Sequence, residues 1–197
     1  RLQNTREPYF AGEIDRVRER FQNPGSSVVR AALAAHAIDP GIRIESADND
    51  AVRAGTASLA GSNAAIWLLG DESFGSTFDA AEQQLADAFV SGGGDLIVTG
   101  SDVAWDLSVL NTGALFLFGT LGSIYVADDA QTGVVAGEPG GPLEGLVVEF
   151  DRGLDVETYS VREPDVISPL GVGPASLLGY VGGIGGGAGV LSPGEAG

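Results

Sequence analysis

A serine and an aspartate follow a short apolar segment in the middle of the chain. The segment is DLIVTG, residues 95–100, and Ser101 and Asp102 come directly after it. A serine in the turn after a buried strand is how α/β-hydrolases present a nucleophile. Such a serine needs a base that accepts its proton and a third group that orients this base. Ser101 is therefore the candidate catalytic nucleophile of this sequence.

The base that Ser101 would need is poorly placed. His36 is the one histidine of the chain, which has no lysine and no cysteine. It lies near the C-terminal end of a predicted helix over residues 25–38. Helices of a parallel α/β sheet run away from the edge where Ser101 lies, which separates the two residues by about 15–20 Å. We therefore expect Ser101 to cap a short helix and His36 to interact with its own helix dipole.

Acidic residues follow two predicted strands. Asp71 and Glu72 come after the apolar segment 63–70, and Asp102 and Asp106 come after DLIVTG. If the strands are neighbours, these four carboxylates gather at the edge where open α/β folds bind ligands. Oxygen ligands suit Ca²⁺ or Mg²⁺. The sequence thus predicts a divalent-metal site, with chance clustering among 27 acidic residues as the alternative.

Three further features have weaker functional signals. ADDAQTG, residues 127–133, lacks the ligand spacing and the glutamate of an EF-hand loop. GGIGGGAG, residues 182–189, lacks the Lys-Ser/Thr of a phosphate-binding loop, and we expect it to form a hairpin turn. Trp105 could stack on a sugar ring or pack its short helix against the sheet, whereas Trp67 is expected in the core.

Charge and composition exclude several classes of function. The net charge is −17, and such a surface repels nucleic acid and anionic membranes. No apolar run reaches the ~18 residues of a membrane span, and no signal peptide is recognisable. The acidic, lysine-free composition fits either a salt-adapted organism or an extracellular protein of a high-GC bacterium. Because the chain contains no methionine, we expect it to be a piece of a longer protein.

Helix and strand signals alternate through the first two thirds of the chain. Residues 63–70 and DLIVTG are predicted to be strands buried on both faces, joined by a helix over 78–90 that Thr77 or Ser76 caps. Strand, helix and strand in this order predict a right-handed βαβ unit of a parallel sheet. The other predicted elements of this part are helices over 8–21 and 25–38, a strand over 42–46 and a short helix that ends at Gly55.

From about Val134 the pattern changes to short alternating segments with frequent Gly and Pro. The predicted strands are 145–151, 156–161, 174–183 and 187–193. We expect a single domain over residues 1–197, with an α/β part (1–133) and a β-rich extension (134–197) packed on the edge of its sheet.

An ordered set of motifs resembles a known kind of domain. The motifs are ESADNDAVRAG, AAIWLLGDES, TFDAAEQQLADAFVSGGGDLIVTGSDVAWDL, YVADDA and EPDVISP, which together span about residues 49–169. They resemble a domain of large secreted bacterial proteins named xanthan lyase or N-acetylmuramoyl-L-alanine amidase, which often carry golvesin-type or fibronectin type III modules. The resemblance implies a class I glutamine amidotransferase-like, flavodoxin-like fold, with a mostly parallel sheet and flanking helices.

The same resemblance implies that amidotransferase chemistry is absent. In the glutamine amidotransferases a cysteine occupies the turn that is GSD here (residues 100–102), and this chain has no cysteine. The enzyme names are expected to belong to other modules of the parent proteins.

These observations leave three functional hypotheses. The first is a non-catalytic structural or binding module of a secreted or cell-surface bacterial protein, with a polysaccharide or another domain of the parent protein as its partner. The second is a hydrolase that uses Ser101 or the acidic, metal-binding edge. The third is an assembly subunit, and hence a homo-oligomer, whose sheet is completed by a neighbouring strand.

Overall fold

A computed structural model describes most of the chain. The described residues are 47, 49–70, 77–150, 161 and 163–193. The predicted helices over 8–21 and 25–38 and the predicted strand over 42–46 lie outside the described residues, as does almost all of the predicted strand over 156–161.

The chain divides into two compact units, Leu2–Ser58 and Leu59–Gly197. In the first unit the structure describes one short helix, α1 (Asn49–Arg53). Gly55, with φ at +70°, follows this helix and donates its N–H to the carbonyl of Val52. A positive φ suits glycine, which has no Cβ. The predicted short helix that ends at Gly55 is therefore confirmed.

The second unit begins with two parallel strands joined by a helix. Strand β1 (Ala64–Gly70), helix α2 (Ala80–Ser91) and strand β2 (Asp95–Gly100) follow one another. β1 and β2 pair in parallel, with Ile66 opposite Ile97. The strand–helix–strand order read from the sequence is confirmed.

Helix α2 is capped by a residue other than the two predicted ones. The carboxylate of Asp79 accepts the N–H groups of Ala81 and Glu82, and Glu82 in turn accepts the N–H of Asp79 at 2.8 Å. This is a capping box, which satisfies N–H groups that have no partner within the helix. Thr77 instead contacts a different carboxylate, described below. The helix ends at the three glycines after Ser91, as the sequence predicted.

The other described strands form one antiparallel sheet. They follow two short helices, α3 (Val103–Ser108) and α4 (Ala114–Gly119). They are β3 (Ser123–Ala127), β4 (Val134–Gly137), β5 (Val147–Glu149), β6 (Val166–Pro169), β7 (Ala175–Tyr180) and β8 (Gly187–Leu191).

The predicted flavodoxin-like, mostly parallel sheet is wrong. The six-stranded sheet has the order β3-β6-β8-β7-β4-β5 and pairs its strands antiparallel, and among the described strands only β1 and β2 pair in parallel. Parallel neighbours need a crossover of a dozen or more residues. Residues 181–186, between β7 and β8, are too few for such a crossover and form a hairpin instead.

The hairpin between β7 and β8 depends on glycine. Gly183 has φ at +57°, and a Cβ on it would lie 1.9 Å from the carbonyl oxygen of Ala130. The same carbonyl accepts the N–H of Ile184 at 3.0 Å. Only a residue without a side chain permits this approach. The glycine-rich segment is a hairpin turn, as predicted, and it holds the loop that follows β3.

The core of the second unit lies on one face of the parallel pair. Its buried residues include Trp67 and Leu69 of β1, together with Phe78, Leu107 and Phe116. The rings of Trp67 and Phe78 have centroids 5.3 Å apart, and those of Phe78 and Phe116 are 5.0 Å apart. Trp67 is therefore a core residue, as predicted.

The other face of the parallel pair is exposed. Ile66, Leu68 and Ile97 point away from the core and remain accessible to solvent. Successive side chains of a strand point to opposite faces, so the continuous apolar runs are buried on one face rather than on both, as the sequence had suggested. None of the helices in the described part of the chain has the length and apolar character needed to cross a membrane.

Candidate functional site

The parallel pairing brings the ends of β1 and β2 together. Gly70 lies opposite Gly100, so the segments that follow them start side by side. The predicted metal site of Asp71, Glu72, Asp102 and Asp106 depends on this arrangement. Asp71 and Glu72, however, lie outside the described residues.

Ser101 is held in the hydrogen bonds of this edge. Its Oγ donates to Oδ2 of Asp102 at 3.3 Å, and its carbonyl accepts the N–H of Asp165 at 3.1 Å. Ser101 is half-buried. His36, the base that a triad would use, lies outside the described residues.

Asp106 lies in the core, away from the solvent. Its side chain is fully buried, and its Oδ2 accepts the backbone N–H of Thr77 at 3.0 Å as well as the hydroxyl of Thr77. These bonds connect α3 to the segment before α2. The structure thus separates Asp106 from the group of carboxylates that contains Asp102.

Three carboxylates gather where β2, β3 and β6 meet. One oxygen each of Asp102, Asp128 and Asp165 lies within 4.8 Å of the other two. Asp128 is exposed and Asp102 half-buried, whereas Asp165 is only 7% exposed. We name these three residues the aspartate cluster.

The pairing of β3 with β6 explains why two members of the cluster meet. In this antiparallel pair Ala127 lies opposite Val166. Asp128 directly follows β3 and Asp165 directly precedes β6, so the register, continued by one residue, places them opposite each other. The loop after Asp128 is fixed because Ala130 donates its N–H to the carbonyl of Pro164 at 3.0 Å.

Asp165 bonds to the start of α3. Its Oδ2 accepts the backbone N–H groups of Ala104 and Trp105 at 2.8 and 2.9 Å. The first N–H groups of a helix have no partner within it, and the side chain of Asp102, at the N-cap position, makes no capping bond. Asp165 therefore caps α3 from a distant part of the sequence, and this also places Trp105 next to the cluster.

Burial and charge both favour the protonated form of Asp165. Burial raises the pKa of its carboxyl group to about 7, and the nearby carboxylates of Asp102 and Asp128 add to this rise against the opposing effect of the two N–H bonds. Burial, with the charges of Asp128 and Asp165, also raises the pKa of Tyr125. An acid is harder to ionise where water is excluded and other negative charges are near.

Asp128 and Asp165 were not among the sequence-predicted site residues. Asp128 lies in ADDAQTG, which lacks the ligand spacing of an EF-hand loop, and Asp165 lies in EPDVISP. The available signal was an acidic residue directly after one strand and another directly before a second strand. It becomes informative only when the two strands are known to pair antiparallel.

The arrangement offers oxygen ligands only. Within the described ranges no histidine or cysteine is present, so the cluster suits a hard cation such as Ca²⁺ or Mg²⁺ rather than zinc. Trp105 is half-buried, and its backbone N–H bonds to Asp165 of the cluster. Stacking of Trp105 on a sugar remains a prediction.

Comparisons of the chain with protein-family models, with curated proteins and with solved structures find no match.

The raised pKa of Asp165 predicts a pH-dependent stability of the cation-free protein. The unfolded carboxyl has a pKa of about 3.9, so stability from protonation is fully present below this value and is lost as pH rises through about 7. Relative to Asp165→Asn, we expect the wild-type free energy of unfolding to fall by about 2–3 kcal/mol between pH 5 and pH 8. Urea unfolding with a chelator present measures this difference.

The control for this experiment is Asp95→Asn, since Asp95 is exposed at the other end of β2. This variant retains Asp165 and should therefore show the same fall between pH 5 and pH 8, relative to Asp165→Asn, as the wild type. A wild-type curve that runs parallel to that of Asp165→Asn over the whole range would show that the pKa of Asp165 is not raised.

Proposed function

We propose that this chain is a non-catalytic structural or binding module of a secreted or cell-surface bacterial protein. One observation carries the proposal: among the described candidates for an active site, the side chains of Ser101 and Asp106 take part in hydrogen bonds of the fold. Ser101 donates to the neighbouring Asp102, and Asp106 accepts two bonds from Thr77 in the core.

The burial of Asp165 supports the same conclusion. A carboxyl group with a pKa near 7 is suited to general acid–base catalysis, and Asp165 has this property. However, a catalytic acid must reach the substrate, whereas Asp165 is buried and one of its oxygens accepts two backbone N–H groups. Its contacts support a role in positioning α3.

The extracellular placement has a different basis. It is supported by the acidic, lysine-free composition and by the motifs that resemble secreted bacterial proteins. The proposed partner is a polysaccharide or another domain of the parent protein.

An activity-based probe tests the non-catalytic proposal. We expect intact-mass spectrometry to find no covalent adduct after treatment with a fluorophosphonate, because the hydroxyl of Ser101 donates its hydrogen bond to the neighbouring carboxylate of Asp102. A serine hydrolase treated in parallel shows that the probe is active. A single adduct that disappears in Ser101→Ala, yet persists in Ser108→Ala, would establish Ser101 as an activated nucleophile and overturn the proposal.

The exposed end of the antiparallel sheet favours a second candidate function, that of an assembly subunit. β5 is the last strand in the order of the sheet and pairs only with β4 among the described strands. Leu146, Val147 and Val148 are all exposed, Val147 by 66%. An apolar edge strand can add a further strand from another chain.

A charge on β5 tests the assembly function. If copies associate through this edge, the wild-type mass in solution should rise with concentration. Val147→Lys should raise the dissociation constant of the assembly at least tenfold. Val172→Lys is the matched control, since Val172 is fully exposed outside the sheet strands. Sedimentation equilibrium measures the mass, and a monomeric wild type at every concentration would contradict the assembly function.

A further inference from the structure

We propose that Asp102, Asp128 and Asp165 together bind one Ca²⁺ ion where β2, β3 and β6 meet. The proposal does not depend on the proposed function, because a cation at this place is compatible with a catalytic chain as well as a non-catalytic one. It differs from the sequence-predicted metal site, with which it shares only Asp102.

The spacing of the carboxylate oxygens fits calcium. Ca²⁺ binds oxygen at about 2.3–2.6 Å, so two oxygens that share the ion are at most about 5 Å apart. One oxygen from each of the three carboxylates lies within 4.8 Å of the others. The three side chains therefore meet this limit without any movement of the strands. Mg²⁺ binds at about 2.0–2.1 Å and demands nearly octahedral geometry, which makes it the less suitable ion.

An unsatisfied oxygen of Asp165 points independently to a ligand. Its Oδ2 accepts two N–H groups, whereas Oδ1 is buried and accepts no hydrogen bond within the described part of the chain. A buried carboxylate oxygen without a partner is costly. A cation bound to Oδ1 would remove this cost, and hydrogen bonds to Oδ2 would keep the carboxylate oriented.

The aspartate cluster brings three acidic side chains close together. Of the side chains that the structure describes, Arg53 is the one basic group, and it pairs with Asp50 at 2.9 Å. Three negatively charged carboxylates within 4.8 Å of one another repel. A divalent cation bound between them would offset this repulsion.

The position of the cluster predicts what the ion would do. Asp102 follows β2 of the parallel pair, whereas Asp128 and Asp165 belong to the ends of β3 and β6 in the antiparallel sheet. An ion shared by the three would connect the two sheets. Because such a site exists only in the folded chain, binding would stabilise the fold.

Thermal unfolding of the whole chain tests the site. At a Ca²⁺ concentration 100 times Kd, we expect Tm to rise by roughly 5–10 °C over the chelator-treated protein at equal ionic strength. Asp128→Asn should lose most of this rise, and Asp128 is exposed, so the variant should still fold. Asp95→Asn removes one charge from the other end of β2 and should keep the full rise. No rise in wild type, or an undiminished rise in Asp128→Asn, would overturn the proposal.

Terbium luminescence gives a direct measure of binding. Tb³⁺ takes the same oxygen ligands as Ca²⁺. The backbone N–H of Trp105 bonds to Asp165, so we expect the Trp105 indole to be near enough to sensitise Tb³⁺ emission. We expect excitation of tryptophan to produce Tb³⁺ emission that added Ca²⁺ abolishes. In Asp128→Asn the affinity for Tb³⁺ should fall at least tenfold. Absence of sensitised emission in wild type, or displacement of Tb³⁺ by Mg²⁺ as readily as by Ca²⁺, would overturn the calcium assignment.

Discussion

Asp165 connects elements of the chain that belong to two different sheets. Its N–H bonds to the carbonyl of Ser101 after β2, and its carbonyl accepts the hydroxyl of Tyr180 on β7. Its carboxylate accepts the first free N–H groups of α3. One residue thus fixes the loop after the parallel pair, the start of a helix and a strand of the antiparallel sheet. Because Asp165 is buried, these bonds are protected from competition with water.

The same position carries an electrostatic penalty that shapes the site. Burial and two neighbouring aspartates oppose the ionised form of Asp165, although the ionised form is the better acceptor for the N–H groups of α3. A proton or a cation can relieve this conflict. A proton would remove the negative charge but would weaken the hydrogen bonds from α3. A cation would balance the charge and leave the carboxylate ionised, so the strong hydrogen bonds would remain. The site is therefore best understood as a structural junction whose stability depends on what neutralises it.

Local patterns predicted the elements well where all the determining residues lie close in sequence. The parallel pair, its helix, the glycines after Ser91 and the hairpin between β7 and β8 follow from short-range signals, and all are present. The sheet as a whole did not follow from them, because the pairing of β3 with β6 joins distant segments. This pairing also brings Asp128 to Asp165, so the site could be predicted only in part: Asp102 was identified, and its two companions were missed.

The burial of single residues was likewise decided by tertiary structure. Asp106 is spaced one helical turn from the N-cap of α3 and was predicted to share a site with Asp102, but Thr77 bonds to it in the core. Asp79 took the capping role that the sequence assigned to Thr77 or Ser76. In both cases several acidic or hydroxyl residues were suitable, and packing selected among them.

Amide hydrogen exchange at the start of α3 tests the role of Asp165 most directly. In Asp165→Ala we expect the N–H groups of Ala104 and Trp105 to exchange much faster than in wild type, while amides within α2 keep their protection. Asp165→Asn, which retains an acceptor oxygen, should preserve most of the protection. Unchanged exchange of Ala104 and Trp105 in Asp165→Ala would contradict the account, because α3 would then be capped without Asp165.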